Sequence, residues 1–234
     1  QEERGDSQAA TDGNDIYSGG EGIDTLDASA VKQSINIDLS AGKATGETIG
    51  TDKIEGIEGV VGTDCDDSII GDDGANTVHA GAGNDTVVGG EGDDAIFTQE
   101  GDDVVVVASR SVGDDDTEDC HDGNDIFDGG EGVDTMDLSA LVEAVVADLE
   151  GRYVEGAEIG RDTITNFEII RGGRGNDRLN GDRGSAIQHG GDGNDRLKGR
   201  AGDDILVGGD GHDDVEGNDG NDTFLVFART VSGP

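Results

Sequence analysis

Large apolar residues recur along much of the chain at intervals of nine, each two positions after an aspartate and shortly after a group of glycines. Residues 19–27, GGEGIDTLD, show the unit, with glycine at positions one, two and four, aspartate at six and an apolar residue at eight. Position six is Asp in thirteen of fifteen such nonapeptides, and position eight is apolar in fourteen. The nonapeptides form four blocks, at 10–27, 62–106, 120–137 and 172–225.

Each unit is predicted to be a tight turn followed by a short strand. Glycine reaches backbone conformations that residues with a Cβ rarely adopt, so the first four positions suit a turn. The last three positions are rich in Thr, Val and Ile, which favour a strand, and position eight is expected to point inward and build the core. Two nonapeptides make one coil, so equivalent turns lie eighteen residues apart. The pattern therefore predicts an all-β solenoid of stacked parallel strands.

The segments 28–61 and 138–171 lack the regular unit, and we expect them to be irregular coils that continue the solenoid. Residues 34–39 alternate as a strand does, and residues 144–149 are apolar and β-prone. A degenerate frame persists at 47–55 and 157–165. We expect the following residues to extend the core: Ile54, Ile57, Val60, Ile164, Phe167 and Ile170. Further ligand candidates in these segments are Asp38, Asp52, Asp148 and Asp162.

A second level of repetition lies above the nonapeptides. Residues 12–106 align with 122–216 at an offset of 110, and the offset becomes 119 at the end of each copy, so the second copy has gained one nonapeptide. The sequence therefore predicts a tail at 1–9, a first module at 10–118 and a second module at 119–234. The seam at 107–119 is rich in Ser and Asp, and we expect it to be a loop.

Composition and repetition point in different directions. The 234 residues include 55 Asp and Glu against 15 Lys and Arg, a formal charge of −40, which is typical of disordered chains. The fixed spacing of Val, Ile and Leu argues against disorder. Nucleic acid is excluded as a partner because phosphates require a basic surface. We expect no transmembrane segment and recognise no cleavable signal peptide, as in a mature form or an excised fragment.

The aspartates at position six predict a metal-dependent fold. Stacked coils bring neighbouring aspartates to about 4.8 Å. Two bare carboxylates at that distance repel each other by about 3 kcal/mol at an effective dielectric of 20. A Ca²⁺ ion between them reverses the sign, and carboxylate and carbonyl oxygens are the ligands that Ca²⁺ prefers. The nonapeptides at 71–79 and 181–189 depart from this pattern, with Asn76 and Ala186 at position six and Gln188 at position eight. We expect the second of them to bind metal weakly.

The nonapeptides resemble the RTX family, the hemolysin-type calcium-binding repeats. The resemblance implies a parallel β-roll, several bound Ca²⁺ ions, export by type I secretion and folding outside the cell. It also implies that calcium is bound by the position-six aspartates and the turn glycines. These are Asp15, Asp24, Asp67, Asp85, Asp94, Asp103, Asp125, Asp134, Asp177, Asp195, Asp204, Asp213 and Asp222, with Gly19, Gly20, Gly22, Gly81, Gly83, Gly90, Gly92, Gly101, Gly129, Gly130, Gly132, Gly172, Gly173, Gly175, Gly191, Gly193, Gly202, Gly209, Gly211 and Gly220.

Other candidate chemistry is sparse. His79 and His189 each stand alone in a repeat and are interpreted as surface histidines, and no catalytic arrangement of Ser, His, Cys or Asp is visible, so no enzyme activity is expected. Two cysteines, Cys65 and Cys120, are too few for a disulfide framework, and whether they pair is left open. Arg178 and Arg196 are eighteen apart and predicted to be neighbours, either balancing charge or binding an anionic partner such as a glycan or another protein.

Three functions are open at this point. The first is a non-enzymatic calcium-binding module of a secreted or surface protein. The second is a carbohydrate- or surface-binding module of an adhesin. The third is an auxiliary repeat module of a secreted enzyme or toxin.

Overall fold

The computed structural model describes residues 12–107 and 123–227, and within them every regular element is a β-strand. The predicted tail at 1–9 and nearly all of the seam at 107–119 lie outside the described residues. The strands of the first module are Ile16–Ser18 (β1), Thr25–Asp27 (β2), Ile35–Asp38 (β3), Lys43–Gly46 (β4), Gly50–Glu55 (β5), Gly59–Val61 (β6), Ser68–Ile70 (β7), Thr77–Ala82 (β8), Thr86–Val88 (β9), Ala95–Glu100 (β10) and Val104–Val106 (β11).

The second module repeats this series and ends with one more nonapeptide and its strand. Its strands are Ile126–Asp128 (β12), Thr135–Asp137 (β13), Val145–Asp148 (β14), Tyr153–Gly156 (β15), Gly160–Thr165 (β16), Ile169–Arg171 (β17), Arg178–Asn180 (β18), Ile187–Asp192 (β19), Arg196–Ala201 (β20), Ile205–Asp210 (β21), Asp214–Asp219 (β22) and Thr223–Phe224 (β23). None of the described residues forms a helix that could cross a membrane.

The strands form two sheets, and the chain passes from one sheet to the other as it winds. One sheet has twelve strands in the order β1-β5-β4-β3-β7-β9-β11-β13-β17-β19-β21-β23. The other has eleven, in the order β2-β6-β8-β10-β12-β16-β15-β14-β18-β20-β22. Ile69 pairs with Val87 and Val87 with Val105 in parallel register, so one coil contains eighteen residues. The predicted all-β fold with parallel coils is confirmed.

The core is a single file of apolar side chains between the two sheets. Position eight faces inward as predicted, because side chains alternate along a strand and the flanking residues point to solvent. Val78, Val87, Ile96 and Val105 are fully buried. The residues predicted to extend the core from the irregular segments are buried as well: Ile54, Ile57, Val60, Ile164, Phe167 and Ile170.

The prediction that 28–61 and 138–171 are irregular coils is wrong. Each segment contains a three-stranded antiparallel meander, formed by β3, β4 and β5 in the first module and by β14, β15 and β16 in the second. The chain reverses at left-handed residues in equivalent places, Gly42 and Gly50 in the first meander and Arg152 and Gly160 in the second. Because these tight reversals are not spaced nine residues apart, the strands of each segment pair with one another in antiparallel fashion before the regular coils resume.

Both sheets run through the predicted boundary between the modules. Val104 of β11 pairs with Thr86 on one side and with Thr135, 31 residues later, on the other, in the same parallel register. The two meanders lie in opposite sheets, the first in the twelve-stranded sheet and the second in the eleven-stranded sheet. The chain reaches the second module after an odd number of crossings, so equivalent strands of the two modules lie on opposite faces. The division at 118/119 itself stays a prediction.

Candidate metal-binding turns

The position-six residues stack in two files, one along each edge of the sheets. Each backbone N–H donates to the carboxylate of the next coil: Asp67 N to Asp85 Oδ1 at 2.7 Å and Asp85 N to Asp103 Oδ1 at 2.7 Å. The same contact joins Asp177 to Asp195 at 2.9 Å and Asp195 to Asp213 at 3.0 Å. The structure therefore places these aspartates one above another at the predicted spacing of eighteen.

The files continue where the nonapeptide pattern is interrupted. Asp103 N donates to Asp134 Oδ1 at 2.9 Å, and Asp94 N donates to Asp125 Oδ1 at 2.8 Å, so both files cross from the first module to the second. Asp52 and Asp162 also occupy file positions, because they accept the N–H of Asp15 and of Asp125. Asn76 N and Ala186 N donate to Asp94 and Asp204, and Asp204 N donates to Asp222.

One oxygen of these carboxylates accepts a backbone N–H of the neighbouring coil. In several turns the other oxygen accepts no hydrogen bond, and we call it the leftover oxygen. The leftover Oδ2 is buried and accepts no hydrogen bond from any described residue in Asp24, Asp85, Asp134, Asp195 and Asp204. A buried acceptor without a partner costs about 1–3 kcal/mol, and more when it is charged. Because five such atoms recur at equivalent positions, we interpret them as places for a cation rather than as chance defects.

In several of these turns a backbone carbonyl approaches the leftover oxygen above the glycine at position one. A Cβ added to Gly190 would collide with the carbonyl oxygen of Gly208 and with Asp195 Oδ2. A Cβ added to Gly199 would collide with Asp204 Oδ2 and lie 2.8 Å from the carbonyl oxygen of Gly217. The missing Cβ thus leaves a small oxygen-lined cradle between two coils. No three His, Cys, Asp or Glu side chains of the described residues converge on one point, so a metal shell here must draw on carbonyls.

The backbone at position two distinguishes two kinds of turn. We call a turn open when φ at position two is positive, as at Gly191 (φ +105°), and even three residues with a Cβ adopt this conformation there: Gln99, Arg200 and Asn218. The open turns are those of 19–27, 80–88, 89–97, 98–106, 129–137, 190–198, 199–207, 208–216 and 217–225. In all of them the glycine at position four has a positive φ too: Gly22, Gly83, Gly92, Gly101, Gly132, Gly193, Gly202, Gly211 and Gly220.

We call the other described turns closed: they are those of 62–70, 71–79, 172–180 and 181–189, where φ at position two is not positive. In the first and third of them, the N–H at position two donates to the carboxylate of the same turn, Thr63 N to Asp67 Oδ2 at 2.7 Å and Gly173 N to Asp177 Oδ2 at 2.8 Å. The other oxygen caps the meander, at Ile35 N and at Val145 N. Asp67 and Asp177 therefore already use both oxygens, and a ligand role for them stays a prediction.

The two weak repeats are both closed turns. In 71–79, Asn76 Oδ1 accepts the N–H of Asp72 at 2.8 Å. In 181–189, Ala186 offers no oxygen, and Gln188 is fully buried in the core, where its Nε2 donates to the carbonyl oxygen of Lys198 at 3.0 Å. The same carbonyl accepts the N–H of Gly181 at 2.8 Å. An amide donor thus fills the place where other turns present a carboxylate.

Burial raises the pKa of several position-six carboxyls. Loss of solvent is the main cause, and neighbouring carboxylates add to it; the pKa of Asp85 and of Asp134 rises to about 7. Burial also raises the pKa of Asp195 to about 6 and of Asp125 to about 6. Charged carboxylates are thus destabilising in the metal-free fold, and a bound cation would remove the penalty.

The file positions include two residues that the nonapeptide pattern does not contain. Glu58 Oε2 accepts the N–H of Asp24 at 2.9 Å, and Glu168 Oε2 accepts the N–H of Asp134 at 2.9 Å. These glutamates follow the meanders and are equivalent at the offset of 110. That recurrence of Ile57-Glu58 as Phe167-Glu168 is the signal in the sequence that could have identified them.

The remaining candidates lie away from the cradles. Arg178 and Arg196 are neighbours on the eleven-stranded sheet, as predicted, and Arg196 pairs loosely with Asp214 at 3.6 Å. Asp148 forms a two-fold ion pair with Arg200, its Oδ2 lying 2.8 Å from Arg200 Nη2. His79 stacks on Phe97 with ring centroids 4.9 Å apart. Cys65 is half-buried, and Cys120 lies outside the described residues.

Comparison with known proteins agrees with this geometry. A family model of the RTX calcium-binding nonapeptide repeat, in four copies, matches residues 10–30, 70–105, 121–140, 167–185 and 189–224. No curated protein matches the chain. The matched segments cover more than half of the chain and contain seven of the nine open turns in full and all but the last residue of the other two. The chain therefore belongs to the RTX calcium-binding nonapeptide repeat family, a calcium-binding structural repeat rather than a catalytic one.

Proposed function

We propose that this protein is a module that folds when Ca²⁺ fills the cradles of its open turns. The observation that carries the proposal is the set of buried Oδ2 atoms without hydrogen-bond partners, at Asp24, Asp85, Asp134, Asp195 and Asp204. At Asp134, Asp195 and Asp204, this oxygen and a carbonyl oxygen from the next coil or from the end of a meander both lie against the glycine at position one. Carboxylate and carbonyl oxygens suit the loose shell of six to eight ligands that Ca²⁺ takes.

The charge of the chain supports a folding role rather than a passive binding role. At a formal charge of −40, stacking the aspartates opposes folding, because both files bring like charges together. A ligand that binds only the folded state stabilises that state in proportion to its saturation. The binding energy of several ions then becomes folding energy, as in other metal-dependent folds.

This coupling explains where the protein would act. RTX repeats typically occur in secreted proteins, and by that likeness we place this module outside the cell or on its surface, after type I secretion. In the low calcium of the cytosol the chain would remain unfolded and competent for export. In the higher calcium outside it would fold, as a module of a secreted or surface protein, including an enzyme or a toxin.

Circular dichroism during a calcium titration tests the proposal. The protein in excess chelator should lack most of its β-signal, and the signal should appear cooperatively as Ca²⁺ is added. Mg²⁺ at equal concentration is the control, because it demands near-ideal octahedral geometry and gives up its water reluctantly, so it suits a shell of protein carbonyls and carboxylates poorly. A full β-signal in excess chelator would contradict the proposal.

A second candidate function, binding of an anionic glycan, has one observation in its favour. A shallow groove of about 250 Å³ on the eleven-stranded sheet is lined by Arg178, Arg196, Lys198, Arg200 and Tyr153, among others. Arg178 is exposed and has no ion-pair partner among the described residues. Binding to an immobilised acidic polysaccharide should fall in the R178S/R196S variant and persist in R171S, which changes the opposite sheet. Equal retention of both variants on the polysaccharide would remove this candidate.

A further inference from the structure

Each module contains one junction where a regular open turn meets a glutamate. The open turn of 19–27 is followed in its file by Glu58, and the open turn of 129–137 by Glu168. In both places the glutamate accepts the N–H of the aspartate below it at 2.9 Å. In a regular coil the aspartate of the next coil makes this contact, so the glutamate stands where the next carboxylate of the file belongs.

The junctions repeat the oxygen-lined cradle of the regular open turns. A Cβ on Gly129 would collide with the carbonyl oxygen of Asn166 and lie 2.8 Å from Asp134 Oδ2. A Cβ on Gly19 would collide with the carbonyl oxygen of Gly56 and lie 2.7 Å from Asp24 Cγ. The carbonyls of Asn166 and Gly56 thus replace the carbonyl that a regular coil supplies.

The backbone holds these two carbonyls in place in the same way. Gly56 has a φ of +60° and Asn166 a φ of +57°, so both residues adopt the left-handed conformation at equivalent positions. A residue with a Cβ adopts this conformation rarely, although asparagine tolerates it better than most. The same local geometry, kept with two different residues, indicates a common requirement at the two junctions.

Each junction carries two carboxylates with no Lys or Arg paired to them among the described residues. Asp134 is fully buried and its Oδ2 accepts no hydrogen bond from the described residues; Asp24 Oδ2 is buried without a partner as well. Glu58 and Glu168 each use one oxygen as an acceptor, which leaves Oε1 available within the described part of the chain. No Lys or Arg of that part forms an ion pair with any of the four side chains.

We propose that Glu58 and Glu168 are calcium ligands, which complete one site with Asp24 and the Gly56 carbonyl and an equivalent site with Asp134 and the Asn166 carbonyl. The glutamate of each site lies outside the nonapeptide pattern. It belongs to the coil to which the chain returns after the meander, so the ion would bind at that coil. At these junctions the chain departs from the nine-residue spacing, and the longer side chain of glutamate reaches the position that an aspartate occupies in a regular coil. The proposal rests on the proposed function, since it assigns further ligands to the same kind of ion.

Counting bound ions in single-site variants tests the proposal. Equilibrium dialysis with Ca²⁺ alone should show that E58Q and E168Q each bind one ion fewer than the unmodified chain, and that the double variant binds two fewer. The control is E21Q/E131Q, which removes the same charge from exposed side chains of the same two open turns. The control should keep the full number of ions.

The possible results separate the two proposals. If the unmodified chain binds Ca²⁺ and both glutamine variants keep the same number of ions with the same affinity as the control, the glutamates are not ligands. If the unmodified chain binds no Ca²⁺, the proposed function itself fails. Circular dichroism at saturating Ca²⁺ checks folding, and each single variant keeps the other junction intact, so a loss of one ion with an unchanged β-signal supports the assignment.

Discussion

The open and closed turns are built from the same nonapeptide frame, yet they use their carboxylates differently. In the open turn of 190–198, Asp195 gives one oxygen to the coil below and leaves the other buried without a hydrogen bond. In the closed turn of 172–180, Asp177 gives both oxygens to backbone N–H groups. A position-six aspartate therefore either completes the backbone hydrogen bonding or remains for a cation, and the conformation at position two accompanies that choice.

The closed turns have the same place in each module. They are the first two turns after each meander, where Asp67 and Asp177 face the first meander strand instead of a regular turn. On that side the N–H groups of Ile35 and Val145, at the start of the meander strand, have no regular glycine turn opposite them. They donate to the aspartate carboxylates instead. We therefore expect calcium loading to be grouped, with each meander followed by turns that are closed by their own hydrogen bonds without metal.

The largest effect should come from pH, because it acts on many open turns at once. Their carboxyl pKa values rise to about 6 or 7 in the metal-free fold, against about 4 in an unfolded chain. Between those values the folded state binds more protons than the unfolded state, so the stability of the metal-free protein should be greatest at about pH 4 and fall as pH rises towards 7. Calcium affinity should change in the opposite direction, since protons and Ca²⁺ compete for the same oxygens.

The amplitude of the β-signal by circular dichroism in excess chelator across this pH range, and calcium titrations at the same pH values, measure the two trends, because a chain that is largely unfolded without Ca²⁺ near pH 7 should gain β-structure as its carboxyls are protonated. Metal-free stability that rises with pH between 4 and 7 would show that these carboxylates are not the buried, desolvated groups described above.

Single substitutions should separate an open turn from a closed one. D195N keeps an acceptor for Asp177 N but removes the charge, and we expect it to lose at least one bound ion. D177N should keep the full number of ions and lose about 1–3 kcal/mol of unfolding free energy, because one backbone N–H meets an amide donor. Isothermal titration calorimetry and chemical unfolding in saturating Ca²⁺ measure the two quantities. Loss of the same number of ions in both variants would abolish the distinction between the turns.

Glycine at position four should be required in the open turn of 89–97 but not in the closed turn of 71–79. Gly92 has a φ of +105°, and a Cβ there would lie 2.7 Å from the backbone carbon of Gly74. Gly74, in the closed turn of the coil below, would meet nothing closer than Asp72 Oδ1 at 3.3 Å. G92A should therefore cost about 1–3 kcal/mol, whereas G74A should change stability by less than about 1 kcal/mol. Thermal unfolding of the two variants at one calcium concentration compares them, and equal losses would refute the difference.

The smallest effect should come from Gln188. Its Oε1 is buried without a hydrogen-bond partner, and Lys198 O retains the N–H of Gly181 when the amide is removed. Q188L should leave the number of bound ions unchanged and stabilise the fold by up to about 1 kcal/mol, because an apolar side chain suits this core position. Ion counting and unfolding in Ca²⁺ check both expectations, and loss of an ion in Q188L would mean that the amide oxygen binds metal.

The coil could be predicted from sequence because its information is local and repeated. Fifteen copies of one frame identify the turn, the strand, the inward position of Val87 and its equivalents, and the eighteen-residue stacking that aligns Asp85 with Asp103. The meanders could not be predicted in the same way. Their strands are set by reversals at Gly42, Gly50 and their equivalents, which leave no periodic trace.

The sequence by itself determined that a calcium-binding repeat would wind into a β-solenoid, since glycine, aspartate and an apolar residue at fixed spacing dictate turn, ligand and core. Only the tertiary structure decided which turns are open and which glutamates join the files. Those properties depend on what lies on the neighbouring coil, 18, 31 or 34 residues away. The conformation at position two, which the nonapeptide pattern does not specify, decides whether the N–H there donates to the second aspartate oxygen, as it does in 62–70 and 172–180.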